Sequence, residues 1–386
     1  MSLATAAPEA PAASEASDIR VAVVDDSAVV RGLVTRWIDE EPSLATVGRY
    51  ANGQLALDGI GASQPDVIVL DIEMPVMDGM TALPLLLKQR PGVKIIMAST
   101  LTRRNAEISL KALALGAIDY IPKPENNRGV TTSSDFRVQL LRKIKAVGPK
   151  RGVASARAAT PVGAPSRSGT SAAMPASGQA AASPSLRPIS SVSPKILVIG
   201  SSTGGPQALQ NMFECVGPAL KSVPVLVTQH MPATFTTILA EHIGRSSGLV
   251  SKEGEDGEPL QPGTVYVAPG GFHMAVKKTA TGAAIHVYDG PDVNFCKPAV
   301  DPLFASVAPI YGRAALAVVL TGMGSDGAAG STQIADAGGT VIAQDEATSV
   351  VWGMPGAAAA AGACAAILPL DNVGEKVVAL MRGSRS

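Results

Sequence analysis

The stretch Lys195-Ile-Leu-Val-Ile-Gly-Ser-Ser-Thr-Gly-Gly205 decides how the second half of the chain is read. Its four consecutive apolar residues, Ile196 to Ile199, suit a parallel strand covered on both faces. The glycines that follow let the backbone turn sharply into a helix without steric cost. Gly200, Ser202 and Gly204 fit the G-x-S-x-G pattern, which leaves the central hydroxyl exposed at the turn. That spacing makes Ser202, rather than Ser201, the candidate nucleophile. A plain glycine turn and a phosphate cradle are the competing readings, and the stretch alone does not choose among the three.

The 386 residues exceed one ordinary core and predict two domains or three. Apolar residues make up 46% of the chain, enough for sizeable cores. Lys plus Arg and Asp plus Glu both total 32, so no global charge favours nucleic acid or an acidic membrane surface. Cys215, Cys296 and Cys364 are far apart and form no C-x-x-C pair, which argues against zinc or a redox couple and for a reducing cytoplasm. Residues 1–18 lack the basic start and apolar core of a signal peptide and read as a disordered tail. The alanine- and glycine-rich run from Pro355 to Leu370 is too weakly apolar for a membrane span. A soluble, cytoplasmic protein without membrane insertion is expected.

From Arg20 onward, short apolar strands alternate with helical spacing. Strands are predicted at 20–24, 46–50, 67–70, 93–98 and 118–121, which implies a doubly wound parallel sheet with ligands beyond the carboxyl ends of its strands. Asp25, Asp26 and Asp71 fall at such ends. Three clustered carboxylates repel one another unless they share a cation, and an open, oxygen-rich site suits hydrated magnesium. Taken singly, each aspartate also reads as a surface acid or a helix cap.

These residues carry a resemblance. Val-Asp25-Asp26-Ser, Leu-Asp71-Ile-Glu-Met-Pro-Val-Met-Asp-Gly79, Ser99 and Tyr120-Ile-Pro-Lys123-Pro124 resemble a two-component response-regulator receiver over residues 19–147. The resemblance implies a flavodoxin-like fold with Asp71 as phosphoacceptor and a histidine kinase as phosphodonor. It also implies Mg2+ held by Asp25, Asp26, Asp71 and the Glu73 carbonyl, with Ser99 and Lys123 contacting the phosphoryl group.

Residues 148–193 turn rich in Ala, Ser, Pro and Gly and read as a flexible linker. No acidic residue occurs between Phe136 and Phe213, so the linker is a solvated basic tether or a site for an acidic partner. The second domain, 194–386, alternates again. One strand at 223–228 leads to His230 and another at 315–320 leads to Asp326, so Ser202, His230 and Asp326 are placed along one carboxyl edge. That set provides a hydroxyl nucleophile, an imidazole base and a carboxylate that fixes the base's tautomer. The order Ser, His, Asp is not that of the α/β-hydrolases. His242 and His286 read as structural, His273 as a supporting residue, and Asp326 alone as a helix cap. A dinucleotide site is disfavoured, because Gly200-x-x-x-Gly204-Gly205 is not G-x-G-x-x-G and no acid ends the second strand.

Together, Gly-Ser-Ser202-Thr-Gly-Gly, Thr-Gln-His230-Met-Pro, Ala-Pro-Gly-Gly-Phe-His273-Met, Asp-Gly-Pro-Asp-Val-Asn294, Leu-Thr-Gly-Met323-Gly-Ser-Asp326-Gly and Ala-Gln-Asp-Glu-Ala-Thr-Ser-Val-Val-Trp-Gly-Met-Pro355 resemble the chemotaxis methylesterases of the CheB family. The resemblance implies a Rossmann-like hydrolase that demethylates glutamate methyl esters and deamidates glutamines on chemoreceptors. It implies a Ser202, His230, Asp326 triad, Thr203 orienting His230, the Met323 N–H in an oxyanion hole, and no cofactor for hydrolysis. Ser201, Ser325 and Cys296-Lys297-Pro-Ala299 depart from the residues frequent in that family. The third departure bears on the rim that meets substrate. A phospho-switched adaptor without catalysis is the alternative, against which the intact triad stands.

Overall fold

Alternating apolar runs and amphipathic helices bury best as parallel sheets covered on both faces, and the chain adopts that solution twice. The computed structural model describes residues 18–123, 134–149, 186–280 and 282–384. The tail and most of the expected linker lie outside the described residues.

The first unit runs β1 (Ile19–Val24), α1 (Ala28–Asp39), β2 (Leu44–Tyr50), α2 (Gly53–Ser63), β3 (Val67–Asp71), α3 (Gly79–Gln89), β4 (Lys94–Thr100), α4 (Arg103–Ala114), β5 (Asp119–Lys123) and α5 (Ser134–Val147). Its five parallel strands take the order β2-β1-β3-β4-β5, so the chain reverses direction across the sheet between β1 and β3. A ligand crevice opens at that reversal. Strand β5 extends through Lys123 because Pro122 and Lys123 keep register with Ser99 and Thr100.

The second unit runs β6 (Ile196–Ser201), α6 (Gly205–Val216), β7 (Val225–Gln229), α7 (Phe235–Ser247), β8 (Val250–Glu253), β9 (Thr264–Val267), β10 (His273–Thr279), β11 (Gly282–Tyr288), α8 (Val300–Tyr311), β12 (Ala315–Val319), α9 (Ala328–Asp336), β13 (Thr340–Gln344), α10 (Met354–Ala360), β14 (Ala366–Leu368) and α11 (Leu370–Met381). Seven parallel strands take the order β14-β13-β12-β6-β7-β9-β8, and β10 and β11 form a separate antiparallel hairpin. The reversal lies between β6 and β12, and Ser202 and Asp326 follow those two strands. Every residue of β6, β7, β12 and β13 is buried.

Residues 186–193 correct the expected linker. The Arg187 N–H donates to the Cys364 carbonyl at 2.8 Å, its guanidinium pairs with Asp336 at 3.0 Å, and buried Ser190 bonds Thr340 and the Arg313 carbonyl. This segment packs on the second unit. The two units meet where Leu110 and Leu113 of α4 join an apolar cluster with Leu239 and Ile243 of α7. Arg103 pairs with Glu241 at 2.8 Å. Tyr120 and Phe235 stack with centroids 4.4 Å apart and planes 7° from parallel. Among the described residues, no helix is long and apolar enough to cross a membrane.

Candidate functional site

The turn after β6 depends on its glycines. Gly204 has φ +76° and caps α6, and a Cβ there would stand 2.5 Å from Val350. A Cβ on Gly205 would fall 2.1 Å from Gln229 Oε1. That glutamine occupies the space as a brace. Its Oε1 accepts from the Ser201 hydroxyl at 2.7 Å and its Nε2 donates to the Ser202 carbonyl at 2.9 Å. Ser201 is thus fully buried and committed, whereas half-buried Ser202 lines a cavity of about 420 Å³. In the sequence Gln229 stands out only as a polar residue ending the apolar strand β7.

His230 follows β7 and lines the same cavity. Its Nε2 lies 2.7 Å from Asp326 Oδ2. An ionised carboxylate only accepts, so Nε2 carries the proton and Nδ1 is left as the acceptor of the neutral ring. Asp326 is buried and held from several sides, accepting from the N–H groups of Val300 at 2.5 Å and Asp301 at 3.1 Å and from the Asn294 amide at 3.0 Å. Burial works against its charge, but the bonds to His230, Val300 and Asn294 hold its carboxyl below the usual range. It does not cap the helix that follows it, since α9 has Gly327 at its N-cap and no side-chain cap. Burial also opposes charge on His230, yet hydrogen bonds to Asp326 and Cys296 and their attraction push the imidazole up to about 9. Met323 and Gly324 line the cavity beside Ser202.

Thr203 does not make the contact with His230 that the family resemblance implies. Its buried hydroxyl donates to Asp119 Oδ2 of the first unit at 2.9 Å, not to His230. Asp119 is also paired with Lys143, and Lys143, Arg142, Gln139, Tyr120 and Pro122 wall the cavity from the side of the first unit. Arg142 lies over the exposed Phe295 ring, 5.1 Å from its centroid. Among the other histidines, His273 is buried and bonded to the Pro291 carbonyl at 2.9 Å and the Ala299 N–H at 3.3 Å, so it braces the loop beside the cavity. His286 pairs with Asp256 on the exposed hairpin, and His242 lies on α7.

At the first sheet's crevice, carboxylate oxygens of Asp25, Asp26 and Asp71 all lie within 4.8 Å of one another. Lys123 Nζ reaches Asp25 at 3.0 Å and Asp71 at 2.8 Å. One ammonium leaves two negative charges unbalanced. Burial pushes Asp71 up to about 6, with Asp25 adding to the rise and Lys123 opposing it. Such a crowded oxygen set fits a hard divalent cation. Glu73 lines an adjoining cavity with Asp26. The Ser99 hydroxyl is bonded to that of Ser109 at 2.9 Å, which in turn donates to the Asn105 carbonyl.

Comparisons with known proteins agree with this two-part layout. A family model described as CheB methylesterase matches residues 197–377, and one described as response regulator receiver domain matches residues 21–133. The chain is 52% identical over 390 residues to a protein-glutamate methylesterase/protein-glutamine glutaminase of Nitrobacter hamburgensis, covering 100% of both chains. It is 53% identical over 382 residues to a protein of that name, of group 2 operon, from Bradyrhizobium diazoefficiens, covering 96% of each. The solved Thermotoga maritima CheB methylesterase catalytic domain is 42% identical, with a TM-score of 0.47, and covers 49% of this chain and 100% of that one.

Proposed function

The chain belongs to the protein-glutamate methylesterase/protein-glutamine glutaminase family, with a response-regulator receiver at its amino-terminal side, and from that premise we propose that it removes methyl groups from glutamate esters of chemoreceptors, and amide groups from specific glutamines, when its receiver is phosphorylated. The observation that carries the reading is one cavity lined by Ser202 and by His230, whose ring Asp326 holds from behind, with residues of the receiver forming part of its wall.

In this reading Ser202 attacks the γ-carbonyl, His230 Nδ1 takes the hydroxyl proton and returns it to the leaving methanol or ammonia, and water then frees the glutamate. Asp326 stabilises the imidazolium without itself taking the proton. The Met323 N–H would meet the oxyanion. Ester and amide share the tetrahedral intermediate, so one site serves both. Asp71 would accept the phosphoryl group from a histidine kinase, and Lys123 would neutralise charge on the transferred oxygens. Mg2+, held by Asp25, Asp26, Asp71 and the Glu73 carbonyl, would supply the remaining positive charge. The setting is the cytoplasm, where receptor helices present their modification sites. Receiver contacts at Thr203, Phe235 and Phe295 would close the cavity until phosphorylation weakens them.

Methanol release from methyl-labelled receptor membranes tests the reading. Ser202→Ala protein should fall to on the order of 10³-fold over water, the residue of binding and oxyanion stabilisation alone. Asp326→Asn should also be strongly impaired, because an amide permits the wrong imidazole tautomer. A folded Ser202→Ala protein with near wild-type turnover would exclude Ser202 as nucleophile. Receptor binding without methanol release by wild type would favour an adaptor.

A further inference from the structure

The acceptor nitrogen of His230 is already occupied. Cys296 Sγ lies 3.3 Å from Nδ1, and among the described residues Asp326 and Cys296 are the only side chains hydrogen-bonded to the ring. A neutral imidazole offers one lone pair. Ser202 and Cys296 therefore compete for the same nitrogen, and the Cys296 thiol also reaches the Asn294 carbonyl at 3.5 Å.

The thiol is built into this place. Asn294 and Phe295 take consecutive left-handed conformations, φ 52° and 62°, which cost non-glycine residues energy and persist only where surroundings enforce them. The enforcement is visible. Val293 and Cys296 exchange backbone hydrogen bonds of 2.9 and 3.1 Å across the turn, and the Asn294 amide donates to Asp326 Oδ1 and to Asp301 Oδ2. One carboxylate thus anchors both partners, since Asp326 Oδ2 holds the ring while Oδ1 holds the turn that presents the thiol.

We propose that Cys296 is a positioning residue that competes with Ser202 for His230 Nδ1, so that hydrolysis proceeds only from molecules in which the thiol has released the ring. The proposal rests on the reading of Ser202 as nucleophile and His230 as base. The sulfur engages Nδ1 in either protonation state: a neutral ring accepts there, and a protonated ring donates its N–H to the sulfur, the arrangement in which Cys296 joins Asp326 in raising the imidazole's affinity for its proton. A ring that keeps its proton cannot take another. The groups around it are Asp326 and Cys296 in contact, Asp301 behind Asp326, Asp292 and Lys297 on the cavity loop, and Arg142 and Lys143 from α5.

The test uses the full-length chain with acetyl phosphate and Mg2+ and follows methanol release from methyl-labelled receptor membranes from neutral to alkaline pH. Cys296→Ala should raise kcat by about 2- to 10-fold, the hold of one hydrogen bond, with KM unchanged. The sign of the pH effect follows from the base: activity requires the unprotonated ring, so it rises with pH through the imidazole pKa. Removing a group that raises that pKa moves the rise to lower pH. Cys296→Ser, whose hydroxyl can address the same nitrogen, should stay closer to wild type than Cys296→Ala. A kcat at or below wild type in Cys296→Ala, with the limb unmoved, overturns the proposal and leaves the triad reading intact. An active Ser202→Ala protein in the same series overturns both.

Discussion

Replacing Tyr120 by alanine should release the enzyme from its receiver. Tyr120 is 4% exposed and Phe235 fully buried, and their stacked rings face each other across the contact between the two units. An aromatic side chain buries roughly 150–250 Å², and about a third of that on each partner faces the other ring. At about 25 cal/mol/Å² the lost contact amounts to about 2–4 kcal/mol of docking energy. Each 1.4 kcal/mol is tenfold, so the ratio of docked to undocked molecules should fall by roughly 30- to 700-fold. The rate cannot exceed that of a fully open enzyme. The unphosphorylated variant should therefore approach the rate that wild type reaches only with acetyl phosphate, and its stimulation by the donor should shrink toward about onefold. Initial rates of methanol release at matched protein concentration measure both quantities, with near-ultraviolet circular dichroism confirming that both units stay folded. A folded Tyr120→Ala protein with wild-type basal rate and full stimulation would refute inhibition through this contact.

The other predictions follow from named contacts. Gln229→Ala strands the buried Ser201 hydroxyl and frees the Ser202 carbonyl. It should cost about 1–3 kcal/mol in urea unfolding and lower kcat more than it raises KM. Wild-type protein should take label from acetyl phosphate in Mg2+ and lose that labelling in excess EDTA, while Asp71→Asn stays unlabelled; equal labelling of the two proteins would contradict Asp71 as acceptor. A fragment beginning at Leu186 should have a higher Tm than one beginning at Pro194, because only the longer one keeps the Arg187 and Ser190 contacts. Equal Tm values would mean that those contacts contribute nothing to folding.

The parallel sheets and the acidic and serine sites were legible because each is written locally. Asp25, Asp26 and Asp71 stand at the ends of apolar runs, and Ser202 sits inside a glycine pattern with a steric reason. What was not legible depends on partners distant in sequence. Thr203 adjoins Ser202, yet its hydroxyl serves Asp119 of the other unit. Cys296 looked like a change at the rim until the turn at Asn294 brought it to His230. Residues 186–193 have linker composition but find their acceptors on β13, after α8 and around α10. Strand β8 carries Val250 exposed and a polar remainder at the sheet edge, so no apolar run announced it.

The central claim is that phosphorylation of Asp71 opens a cavity in which Ser202 hydrolyses receptor esters. Its most direct test is the initial rate of methanol release from methyl-labelled receptor membranes by the full chain, with and without acetyl phosphate in Mg2+, for wild type and Asp71→Asn. The account predicts a donor-dependent rise for wild type and a flat, low rate for Asp71→Asn. Equal stimulation of both proteins, or none in wild type that has been shown to carry the phosphoryl group, would contradict it.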